Sequence, residues 1–120
     1  MTYQNKMKGV FTDKPITEAY FEAIDTLLTS LGGAEKEVKA QFTYKLKRKF
    51  LWLWVYDKTA DGTLFANVLL DHQMEAPFLH DINQVSKNRF NHNIVIKSMD
   101  TIQSQAFQDL LQASYSFAKK

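Results

Sequence analysis

The chain has no cysteine among its 120 residues. That absence excludes disulfide bonds, thiolate catalysis and zinc-finger ligation, and it fits a reducing cytosol. Glycine and proline are scarce, at four and two residues. No glycine-rich phosphate loop can be drawn from so few, and no proline-rich linker. No apolar run approaches the roughly 20 residues of a membrane helix. Met1 to Val10 is polar and lacks the apolar stretch of a signal peptide. Charge of one sign is also missing in bulk. Fifteen Lys and Arg stand against thirteen Asp and Glu, a net +2, well short of a dedicated nucleic-acid binder. There is no HExxH pair, nucleophile elbow or serine triad pattern. These absences point to one cytoplasmic domain over residues 1–120, with 1–12 flexible, and give no ground for a cofactor or an enzyme activity.

What the chain does have is Phe50-Leu51-Trp52-Leu53-Trp54-Val55-Tyr56. In a strand, alternate side chains face opposite ways. Phe50, Trp52, Trp54 and Tyr56 then share one face, and Leu51, Leu53 and Val55 the other. Neither face suits water, so something must cover the aromatic side: a loop of the chain, a second subunit or a ligand.

Around this strand the pattern predicts a helix, four strands and a helix. Ile16 to Leu31 repeats apolar residues at helical spacing, with Pro15 in the first turn, Asp13 or a neighbour as its cap and Gly32-Gly33 as a left-handed stop. Val38 to Leu46 alternates, with Lys39, Gln41, Thr43, Lys45 and Lys47 on a wet face. Lys47-Arg48-Lys49 is hairpin length, and Asp61-Gly62 is a turn before a strand over 63–72. Asn93 to Lys97 predicts a short fourth strand. Ser98 can cap a final helix whose stripe is Met99, Ile102, Ala106, Leu110, Ala113 and Phe117. This order predicts an α+β fold, with a four-stranded antiparallel sheet and N- and C-terminal helices packed on it. The segment from His72 to His92 is long and apolar for a loop. Pro77 could open a short helix carrying Phe78, Ile82 and Val85, folded over part of the aromatic face.

Three patterns carry candidate chemistry. Tyr44, Trp52, Trp54, Tyr56, Phe78 and Phe90 are candidates for a ligand or partner surface. Lys39, Lys45, Lys47, Arg48 and Lys49, beside stacking aromatics, could hold nucleic acid without sequence readout. The same lysines could simply keep a strand soluble. His72, His80 and His92, with nearby carboxylates, are weak candidates for a metal or acid–base site, because no pair has ligand spacing.

The stretches Phe42-Thr43-Tyr44-Lys45 through Phe50, Asp81-Ile82 through Asn93-Ile94-Val95-Ile96-Lys97-Ser98, and Gln112-Ala113-Ser114-Tyr115 resemble a bacterial and archaeal domain of unknown function. Some members are labelled "predicted transport protein". The resemblance covers about Ile16 to Tyr115 and departs near Asn91 to Asn93, where members often have a Gly-containing turn. It implies a small α+β domain, often C-terminal in nuclease-like or restriction-system proteins, and no established catalytic residue. The expected function is an accessory module binding a protein partner or its own copy. Weak nucleic-acid binding by strand 39–49 is the alternative, and a metal or enzyme site the third. No membrane partner is expected.

Overall fold

Apolar residues at helical spacing build the first element of the computed structural model, which describes residues 11–39 and 41–120. Helix α1, Pro15–Leu31, turns Tyr20, Phe21, Ile24 and Leu28 inward. Gly32 and Gly33, both at positive φ, end it, and the Gly32 amide donates to the Leu28 carbonyl. Its N-terminus is capped from a distance. Asp61 Oδ1 accepts from the amides of Ile16 and Thr17 at 2.9 and 3.0 Å. The Thr17 hydroxyl in turn accepts from the Gly62 amide at 2.8 Å. Asp13 makes no such cap; a carboxylate 45 positions beyond Ile16 does. The flexible reading of residues 1–12 falls mostly outside the described residues, but Phe11 is buried against Phe21 and Phe42.

Six strands follow: β1 Glu35–Val38, β2 Phe42–Lys45, β3 Lys49–Trp54, β4 Leu64–Leu70, β5 Leu79–Ser86 and β6 Arg89–Ile96. They form one antiparallel sheet in the order β1-β2-β3-β4-β6-β5. The fold is α+β as expected, but the sheet has six strands and not four. Two causes account for the difference. The alternation from Val38 to Leu46 runs unbroken from the last residue of β1 through a turn into β2, so one apparent strand hides a hairpin whose first arm begins at Glu35, with the Lys39 amide bonded to the Gln41 carbonyl. The segment between His72 and His92 holds no helix. It carries β5 and the first half of β6, whose second half is the strand expected from Asn93, and β6 lies inside the sheet because its polar residues find partners there.

The segment also does not cover the aromatic face. Residues 71–78 run along the opposite side, where Met74 and Phe78 pack on the core and Phe78 meets the Phe107 ring at 5.8 Å. The chain then closes with α2, Met99–Gln103, and α3, Gln105–Lys119. The expected single helix is broken at Ser104, which is extended. Its hydroxyl accepts from the Phe107 amide and donates to the Thr101 carbonyl. Ser98 caps α2 as expected, accepting from the Asp100 amide at 3.0 Å.

One core joins all three helices to one sheet face. The strand rows that enter it are Tyr44–Leu51–Val68–His92 and Phe42–Leu53–Ala66–Ile94. Phe50 joins them although alternation assigns it to the other side. Tyr44 pairs with Leu51 and Lys45 with Lys49, so Phe50 is the extra residue of a β-bulge. It is fully buried, edge-on to the Tyr115 ring at 6.3 Å. The buried Ser114 hydroxyl lies 2.8 Å from the Leu69 carbonyl and 3.2 Å from that of Phe50, and serves the ladder that the bulge disturbs.

Candidate interaction surfaces

Because the helices share one face, the other face of the sheet is open among the described residues. Register aligns three rows across it, the third being Leu69–Asn91–Asn83. The first is Thr43–Trp52–Asn67–Asn93–Asp81, and the second is Trp54–Phe65–Val95. Trp52, Trp54, Phe65 and Val95 are all half-buried. The Trp54 and Phe65 rings stack at 5.9 Å, and Tyr56, 63% exposed, tilts against Phe65 at 5.6 Å. The polar row is a directed chain. Asn67 Nδ2 donates to Asn93 Oδ1 at 2.7 Å, and Asn93 Nδ2 donates to Asp81 Oδ1. The side-chain Oδ1 atoms of Asn67 and Asn91 are buried and accept no bond among the described residues. Buried acceptors ordinarily have a donor, so this face holds two unmet acceptors beside an apolar stripe.

The ends of the sheet differ in charge. The β2–β3 turn, the end of β4, the β5–β6 turn and the C-termini of α1 and α3 meet at one end, as Lys45↔Lys49, Leu70↔Phe90 and Ser86↔Arg89 show. The Lys47 amide donates to the Ala118 carbonyl there. Eight of the fifteen Lys and Arg lie at this pole: Lys45, Lys47, Arg48, Lys49, Lys87, Arg89, Lys119 and Lys120. Glu35 and Asp71 are its carboxylates. A cleft of about 590 Å³ between the two turns is lined by Arg48, Asp71, Ser86, Lys87, Asn88, Arg89 and Phe117. The Arg48 guanidinium sits 4.5 Å over the Phe117 ring. Asp71 Oδ1 is 2.7 Å from His72 Nδ1, and this hydrogen bond holds its carboxyl below the usual range, with Lys120 at 3.8 Å adding to the effect.

The sequence-predicted residues scatter over these places. Trp52, Trp54 and Tyr56 are on or beside the open face. Tyr44 is not: it lies under α1 and donates to Asp25 Oδ1 at 2.8 Å, an oxygen that Lys36 also reaches at 2.7 Å. Phe78 and Phe90 belong to the helix side, Phe90 in the row of Leu70 and Gln84. Lys45, Lys47, Arg48 and Lys49 cluster at the basic pole, while Lys39 is at the far end of the β1–β2 hairpin, 3.7 Å from Glu37. Sequence reasoning missed Phe65, Val95 and the Asn67–Asn93 pair, whose alignment is a matter of register. It also missed Lys87 and Arg89, which reach the pole through a hairpin not foreseen.

The three histidines are apart. His72 pairs with Asp71, and His80 is exposed, 4.0 Å from Asp81. His92 is fully buried in the core row. Its Nδ1 lies 3.1 and 3.2 Å from the Phe90 and Val68 carbonyls, so Nδ1 carries the proton, and Nε2 accepts from the Met74 amide at 3.0 Å. Both ring nitrogens are thus engaged, Nδ1 with carbonyls of the sheet and Nε2 in holding the 71–78 segment to it. Among the described residues, no three His, Cys, Asp or Glu converge as a metal site would need, and no helix is long and apolar enough to cross a membrane.

A family model described as a domain of unknown function (DUF5655) matches residues 7–118. The chain belongs to that family. No curated protein and no solved structure matches it. The family match covers all of the described elements but the last residue of α3, and it takes in the open face and the basic pole except Lys119 and Lys120.

Proposed function

We propose that this DUF5655 domain is an accessory interaction module whose open sheet face meets another protein surface, in its directly testable form a second copy of the chain. One observation carries the reading. All three helices pack on one side, and the opposite side presents Trp52, Trp54, Phe65 and Val95 without cover among the described residues. Contiguous apolar surface of this kind marks contact sites on soluble proteins. A two-fold interface there should bury more than about 1,000 Å² in total. The test is sedimentation of the wild type and of Trp54→Glu from low to high micromolar concentration. The wild type should shift to dimer and the variant stay monomeric. A wild type that is monomeric throughout would remove self-association through this face.

A second reading, nucleic-acid binding, rests on the basic pole. Clustered cations are the sequence-independent part of such recognition. The nuclease or restriction-system setting implied by the resemblance, in cytoplasm, accommodates either reading. A metal or enzyme site at His72, His80 and His92 has no such support, since the three side chains lie apart and His92 is committed to the core.

A further inference from the structure

The geometry points to the cleft between the β2–β3 and β5–β6 turns as a seat for the phosphodiester backbone of duplex nucleic acid, with Arg48, Lys87 and Arg89 as the contacting groups. This rests on the second reading above and assigns it a site. The three cations come from turns about forty residues apart in the chain, and they line one cleft of about 590 Å³. Among the described residues, no carboxylate lies within ion-pair distance of any of the three. The carboxylate that the cleft does contain, Asp71, is held by His72 and Lys120. Lys119, in the last turn of α3, can be explained as a partner of that helix's dipole. Lys87 and Arg89 cannot, because a strand hairpin carries them.

Duplex is favoured over single strand by what the pole lacks. Single strands are held by bases stacked on exposed aromatic rings. The ring nearest the cleft, Phe117, is 6% exposed and lies under Arg48. The pole is also broad. From β2 to β5 the sheet crosses four inter-strand spacings, about 19 Å, which spans several phosphates at their spacing along a duplex strand. Recognition through backbone alone would be independent of sequence.

The experiment is fluorescence anisotropy of a labelled 20-base-pair duplex with the full chain. Three phosphate contacts predict a slope near −2.7 in log affinity against log salt, an affinity loss of about fortyfold between 50 and 200 mM. The double variant Lys87→Glu/Arg89→Glu, at two exposed positions of the β5–β6 hairpin, should weaken binding at least about tenfold at low salt, since charge reversal removes two contacts and adds repulsion. Lys58→Glu, on the β3–β4 loop at the other end of the sheet, should change it less than twofold. Absence of binding at low salt overturns the proposal together with the nucleic-acid reading. Binding that the double variant leaves intact, or that Lys58→Glu weakens equally, overturns the site alone. Tighter binding of the single strand than of the duplex overturns the choice of ligand. None of these results bears on the open face.

Discussion

At the scale of single residues, His92 shows how a polar side chain can serve a core. Burial holds its imidazole below the ordinary histidine value of 6.5, while the Val68 and Phe90 carbonyls that accept from Nδ1 pull the other way. The neutral form is required, since Nε2 must stay bare to accept from the Met74 amide. With the folded value below the unfolded one, the unfolded chain binds more protons through this window, and stability rises with pH. Stability from this group is therefore full well above pH 6.5 and is lost as pH falls from there through the lower value of the folded state. Asp71, lowered by its bond to His72, acts in the same direction but only below its usual 3.8. The urea midpoint should drop between pH 7 and pH 5, and His92→Gln should drop less over the same interval. An equal drop in the variant would show that another group carries the acid sensitivity.

At the scale of elements, helix α1 depends on a residue outside it. Lys14 occupies the N-cap position with no side-chain cap, and its Nζ donates to the Asp57 carbonyl in the β3–β4 loop. The cap comes from the same loop, through Asp61. One segment thus joins two strands, caps a helix and anchors a nearly buried lysine. Asp61→Ala should destabilise the fold by about 1–2 kcal/mol in chemical denaturation, the range for a lost N-cap acceptor. Asp61→Asn retains an acceptor and should lose much less. An alanine variant as stable as the wild type would mean that the two amides find water at no net loss.

At the scale of the whole molecule, the two surfaces are separate. Trp54 pairs with Phe65 at one end of the sheet, and Lys49 begins the same strand at the basic pole. Five residues of strand put them about 16 Å apart, beyond the range in which substitutions ordinarily couple. Trp54→Glu should therefore leave duplex affinity within twofold, and Lys87→Glu/Arg89→Glu should leave the sedimentation of the free protein unchanged. A dimer that forms only with the basic pole intact would place the protein contact there and not on the open face. The modest net charge of +2 conceals this arrangement, because it averages a pole rich in cations with a remainder that carries most of the carboxylates.

Local patterning alone determined the α1 helix, the aromatic strand as an inner strand, the two flanking hairpin turns and the Ser98 cap. Each rests on neighbours in sequence: spacing of apolar residues, a glycine stop, a serine before a helix. What needed tertiary structure were features in which distant residues decide. The β1–β2 turn was hidden by alternation that persists through it, and β5 with the first half of β6 was hidden by polar residues such as the inward His92, which only makes sense beside Val68 and Met74. The bulge that sends Phe50 into the core is set by β2, not by β3 itself. The Asn67–Asn93–Asp81 chain and the meeting of Arg48 with Lys87 and Arg89 exist only once register is established. Period reports which side of its own element a residue faces; which residues from other elements stand beside it is settled by strand order and register, and both surfaces of this molecule are made of such neighbours.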